Sequence, residues 1–210
     1  MKPGHRDGVG TVALETGVVT ALALLLALRF ESPLVWLFLP LPLLLALRRS
    51  LSDYGLDLHF TPPSWSVHLV LGAGLLCGYA VLHAAVALAF LGRSFELRLL
   101  TNPAVELSRQ FLGVAFPEEV FFRGYVQSRW QDALPARWTI FGAKVGPALF
   151  VQATIFALCH LAIGDWTRLR VFFFALLAGW LRARSRSVLS PAVYHAVANV
   201  WYGILADCFR

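Results

Sequence analysis

Charge is what this chain has least of. Acidic and basic side chains make up only 14% of its 210 residues, against about 25% in an ordinary soluble domain. Hydrophobic residues make up 58%, and the mean hydropathy is +0.67. No hydrophilic stretch is long enough to build a second core. This excludes a soluble multidomain protein and predicts one integral, multi-pass membrane domain. Cysteine is also scarce. Cys77, Cys159 and Cys208 form no C-x-x-C pair, which argues against a redox or zinc-ribbon site. Cys159 adjoins His160, but neighbours on a helix point about 100° apart, so it reads as a packing residue. Lysine is nearly missing, since sixteen of the eighteen basic residues are Arg. The net charge of +6 is spread between apolar runs instead of forming one stripe. No nucleic-acid partner is expected; the arginines flank membrane spans and meet anionic headgroups.

Several catalytic signatures are absent. There is no H-E-x-x-H and no G-x-S-x-G. A paired-aspartate mechanism needs two Asp inside spans, yet Asp53, Asp57, Asp132 and Asp165 fall in connectors. No internal repeat supports an inverted-repeat transporter, and no cleavable signal peptide is read at the N-terminus.

What is present is a series of apolar runs. Spans are predicted over 11–28, 33–47, 66–91, 104–130, 138–160, 168–182 and 189–206. A polar connector over 51–63 carries Asp53, Asp57 and His59, and 131–137 reads as a loop. Loop 92–102 ends at Pro103, which can open the next helix. The seven Trp fall mostly near span ends, as an aromatic belt would place them. The expected fold is all-α: a polytopic transmembrane bundle of about seven or eight helices enclosing a polar cavity. Residues 1–103 supply N-terminal helices and an interfacial connector, and 104–210 a core. With Met1 in the cytoplasm, Arg48/Arg49, Arg129/Arg137 and the Arg182–Arg186 cluster share that side, a slight positive-inside bias.

Segment 104–130 stands apart. Pro117 lies in its middle, where it removes a backbone hydrogen bond and is expected to kink or restart the helix. Glu118 and Glu119 follow at once, and a restarted helix would place them in its first turn, favoured by the dipole. Glu119 and Arg123 are four apart and can pair on one face, which leaves Glu118 free. A free carboxylate in apolar surroundings is a general-base candidate. Phe156 and His160 are one turn apart, with Phe156 read as packing for the imidazole. His195 and Asn199 form a second i, i+4 pair. Taken singly, each group has a structural alternative: an ion pair locking helices, a core histidine, an interhelical hydrogen bond. Together, a carboxylate, two imidazoles and a carboxamide are what amide hydrolysis needs: a base for water and donors for the oxyanion. Glu118, His160 and His195 could instead hold a divalent metal such as zinc.

Glu118-Glu119-x-x-x-Arg123, Phe156-x-x-x-His160 and His195-x-x-x-Asn199, in that order, resemble the three motifs of the CAAX protease and bacteriocin-processing (CPBP, or Abi) family. The resemblance covers about half the chain, and Asp53-Tyr54-Gly55-Leu56 resembles the family's connector before the core. It implies a helical membrane fold around a wet cavity and a glutamate-type intramembrane endopeptidase. Glu118 would activate water, with Glu119 and Arg123 supporting it as a salt bridge. His160, His195 and Asn199 would orient the water and stabilise the oxyanion. No metal cofactor is favoured, because Asn is a poor zinc ligand. The implied partner is a membrane-anchored protein with a C-terminal signal. The short, Arg-rich chain points to a prokaryotic inner membrane and to sorting-signal processing of the myxosortase kind. Two alternatives stand beside this: a non-enzymatic scaffold or immunity protein on the same fold, and a small-solute transporter. The first should have lost catalytic positions, which are intact here.

Overall fold

A computed structural model describes residues 7–56, 65–98 and 100–209. Asp57 and His59 of the expected connector lie outside them. The chain is mostly helical. Helix α1 (Val9–Phe30) begins after Gly8 and ends at Glu31, whose left-handed φ of 50° closes it. Its buried residues, Val12, Thr16, Thr20 and Ala23, recur at one-turn spacing. These small side chains let α1 approach the core closely, while Leu14, Val18 and Leu25 face outward. The expected span over 33–47 is instead two short helices, α2 (Val35–Phe38) and α3 (Pro40–Ala46). Pro40 starts a new helix there, as the missing N–H and fixed φ of proline favour. Helix α4 (Trp65–Ala89) follows the expected third span. Among the described residues, Val9–Phe30 and Gly72–Ala89 are long and apolar enough to cross a membrane.

The core is a continuous helical run over 103–133. It consists of α5 (Pro103–Gln110), a π turn (Phe111–Ala115), α6 (Phe116–Glu119), a second π turn (Val120–Val126) and α7 (Gln127–Ala133). The expected restart at Pro117 does not occur. Ala115 is helical (φ −64°, ψ −51°), and the Phe116 N–H reaches back five residues to the Phe111 carbonyl. Widening the helix before the proline absorbs its missing donor without breaking the rod. Such π turns concentrate at functional sites. The helix also runs to Ala133, so the expected loop is shorter.

The largest correction concerns 138–160. Its first third is a β-hairpin, β1 (Trp138–Ile140) antiparallel to β2 (Ala143–Val145), and only then does α8 (Pro147–Ala162) begin. The fold is therefore not purely α. Phe141-Gly142, both with positive φ (46° and 78°), make the tight turn that such a hairpin requires, and Gly146-Pro147 starts the helix afresh. A 3₁₀ turn (Trp166–Arg170) then leads into α9 (Val171–Ser185), which starts and ends three residues later than expected, and α10 (Leu189–Cys208) closes the fold.

Phe121, Phe122, Tyr125 and Val126, all fully buried, anchor the main core with Trp36, Leu44 and Phe156. Helix α9 approaches α7 and α8 through Gly179. A Cβ there would lie within 2.5–3.0 Å of Leu149, Gln152 and Gln127. The same close approach lets Gln127 donate to the Gly179 carbonyl and Gln152 to that of Ala175, both at 2.9 Å. The segment Asp53-Tyr54-Gly55-Leu56 is docked on the core. Tyr54 is buried, the Gly55 carbonyl accepts from Val188 N–H (3.1 Å), and the Asp53 carbonyl accepts from Arg182 (3.3 Å).

Candidate active site

Three helices bring six of the seven expected side chains together: Glu118 and Glu119 from α6, Arg123 from the π turn after it, Phe156 and His160 from α8, and His195 from α10. Phe156 is the hub. Its ring lies 4.4 Å from the Arg123 guanidinium carbon, 4.2 Å from the His160 ring and 6.2 Å from the His195 ring. Cys159 faces the apolar core.

The two neighbouring glutamates have different surroundings. Glu119 and Arg123 are fully buried, and Glu119 Oε1 meets Arg123 Nη1 at 3.0 Å, the expected i, i+4 pair. The same oxygen meets His195 Nδ1 at 2.8 Å. A carboxylate can only accept, so Nδ1 carries the hydrogen and donates. His195 Nε2 then points away from Glu119 toward Glu118, whose Oε2 lies 3.8 Å off. That gap is too long for a direct hydrogen bond. Glu118 is buried, and its Oε2 has no hydrogen-bond partner among the described residues. A buried acceptor left open in this way calls for an explanation. His160 follows the same rule as His195. Its Nδ1 lies 3.0 Å from the Phe156 carbonyl, which can only accept, so Nε2 is the nitrogen left for chemistry. Glu118, His195 and Arg123 are all within electrostatic reach of His160.

Asn199 is not joined to these six. One turn beyond His195, its Nδ2 donates to Gln110 Oε1 at 3.2 Å. Gln110 Nε2 donates in turn to Glu106 Oε1 at 2.9 Å, and Arg109 donates to both Glu106 oxygens (2.7 and 3.0 Å). Donor and acceptor logic runs along this relay. Glu106 accepts only, so the Gln110 amide nitrogen faces it. The Gln110 oxygen therefore faces Asn199, which must present its nitrogen. Glu106 is half-buried on α5. Sequence reasoning missed Gln110 and Glu106. The available signal was the amphipathic, charged segment α5 placed two turns before Glu118. It also missed Phe174, whose ring lies 5.0 Å from that of His195.

The alternative metal set was Glu118, His160 and His195. Among the described residues, no three His, Cys, Asp or Glu side chains are grouped closely enough to hold an ion. The constellation instead offers an open carboxylate oxygen, two Nε2 atoms and a fixed carboxamide.

Comparison with curated proteins and with solved structures gives no match. Over residues 100–201 the chain matches the family model described as type II CAAX prenyl endopeptidase Rce1-like. The matched stretch opens just before α5 and closes two residues after Asn199, so it contains all seven expected positions and the Gln110 relay. Residues 100–201 therefore form an Rce1-like domain, the hallmark of a family of membrane-integral proteases that act on membrane-associated proteins.

Proposed function

We propose that this chain is a glutamate-type intramembrane endopeptidase that cuts near the C-terminus of a membrane-anchored protein. One observation carries the reading: Glu119 is consumed by Arg123 and His195, while its neighbour Glu118 keeps an open oxygen facing His195 Nε2 across 3.8 Å. Glu118 takes a proton from water, and the resulting hydroxide attacks the scissile carbonyl carbon. The new oxyanion accepts from the second Nδ2 hydrogen of Asn199, the first being held by Gln110. His195 and His160 orient the water through Nε2. Glu118 then returns the proton to the departing amine as the C–N bond breaks. Glu119 acts on His195 as the carboxylate of a triad does, fixing its tautomer and ring plane. No step passes through a metal.

Residues 104–210 would carry the chemistry and 1–103 set substrate access. The Arg-rich composition fits a prokaryotic cytoplasmic membrane. There, a C-terminal hydrophobic segment followed by basic residues is a more plausible substrate than a prenylated CAAX end, and cleavage would process a sorting signal. The test compares membrane proteomes of host cells holding equal amounts of the natural protein and Glu118→Gln, reading C-terminal peptides by mass spectrometry. A membrane-anchored protein shortened only by the natural enzyme supports the reading. Identical C-termini in both sets, with both proteins correctly folded, would sink it.

A further inference from the structure

The hairpin that replaces the start of an expected span has properties a solvent-exposed turn lacks. Trp138 and Ile140 project from one face of β1 and are 49% and 44% exposed; Phe141, at the tip, is 77% exposed. A two-residue turn with both φ positive favours Asn, Asp or Gly at its first position. Here Phe141 holds φ 46°, a conformation costly for a bulky side chain. An outward-facing aromatic held against its own backbone preference points to a role for that side chain.

The backbone carbonyls at the tip of the hairpin have side-chain partners. The Ile140 carbonyl accepts from Trp180 Nε1 at 2.9 Å and the Phe141 carbonyl from Arg184 Nη1, while Arg137 N–H donates to the Val145 carbonyl at 2.9 Å. Gly142 leaves room for Arg184, since a Cβ there would collide with the guanidinium. Capping of edge carbonyls is what apolar surroundings demand and what water makes unnecessary. Trp138 also makes an edge contact with Phe150 (6.5 Å), so the exposed apolar surface continues onto α8. That helix has 16 residues, about 24 Å at 1.5 Å each, and is shorter than a hydrocarbon core of about 30 Å. The hairpin begins where the helix stops short. Arg137 and Lys144 are exposed on the hairpin, Arg186 is exposed two residues beyond Arg184, and no acidic residue occurs between Ala133 and Gly164 or between Trp166 and Ala206.

We propose that the hairpin 138–145 is an interfacial anchor for an anionic phospholipid leaflet. Phe141, Trp138 and Ile140 enter the boundary between headgroups and acyl chains, and Arg137, Lys144 and Arg186 bind the phosphates above them. This seating does not depend on the proteolytic reading. The test places a nitrobenzoxadiazole label on Phe141→Cys in a Cys77→Ser background. The full chain is reconstituted in phosphatidylcholine vesicles with and without an equal amount of phosphatidylglycerol. Insertion gives blue-shifted emission, severalfold less iodide quenching than for labelled free cysteine, and stronger quenching by shallow than by deep nitroxide lipids. The shift should grow with phosphatidylglycerol and shrink in Arg137→Glu/Lys144→Glu. If Phe141→Cys fails to fold, Ile140→Cys carries the label. Emission and iodide quenching matching the free dye, or a depth indifferent to anionic lipid and to the charge reversal, would overturn the proposal.

Discussion

Arg123 and Arg129 lie on the same helical run, six residues apart, and both are almost wholly withdrawn from solvent, yet they are satisfied to very different degrees. Arg129 bonds Glu15 twice (2.7 and 3.0 Å), Asp7 (2.6 Å) and Asp132 (3.3 Å). Glu15 is further held by Arg49 (2.7 and 3.2 Å) and the Tyr125 hydroxyl (2.9 Å). Trp130 Nε1 donates to Thr16 Oγ1 at 3.1 Å beside it. Every strong group there has well-directed partners, and the cluster ties α1 to the core. Arg123 has one ion pair among the described residues, to Glu119, and a stack on Phe156. Among the described residues, none of its guanidinium nitrogens makes a well-directed hydrogen bond. A fully bonded cluster locks a structure. A sparsely bonded one costs stability that the surrounding core must supply, and on the proposed reading its spare polar capacity serves the reaction.

This contrast can be broken from either side. The largest effect is expected from Glu118→Gln: cleavage falls to background while thermal unfolding barely moves, because the open oxygen supports chemistry and not the fold. Arg123→Met should come next. Stranding Glu119 without its buried partner costs about 3–5 kcal/mol, seen as a large drop in unfolding temperature together with lost cleavage. Asn199→Ala should lower kcat by about 10²–10³, the range for loss of one oxyanion donor, with KM for the same substrate nearly unchanged. Glu15→Gln should do the reverse, lowering stability by about 1–3 kcal/mol through its stranded partners while leaving kcat within a few-fold. If Glu15→Gln removed cleavage as completely as Glu118→Gln, the division between a clamp and a reactive cluster would fail. The smallest effect is expected from Glu106→Gln, which permits Gln110 to flip and should lower kcat several-fold.

The two clusters also differ in how far the sequence exposed them. The i, i+4 spacing of Glu119 and Arg123 allowed the pair to be expected, because both partners ride one helix. Nothing local links Glu15 to Arg129, 114 residues apart, so that cluster was not expected at all. Pro117 was a correct sign of an irregular helix and a misleading one about its form, since sequence gives the lost donor but not whether a π turn or a break absorbs it. The run 138–160 is mostly apolar, and composition alone cannot separate a helix from a hairpin joined to a short helix. The positive-φ pair at Phe141-Gly142 decided that, and Phe is a poor advertisement for such a turn.

By itself the sequence determined that this is a membrane-class helical chain, and it named the carboxylates, imidazoles and carboxamide that stand inside apolar surroundings, because burying polar groups is costly enough that they must be there for a reason. Only the tertiary structure decided that Glu119 and not Glu118 holds His195, that Gln110 sets the face of Asn199, and that a hairpin ends α8. Each depends on contacts between segments far apart in the chain, where directional hydrogen bonds choose among neighbours that local spacing leaves equivalent.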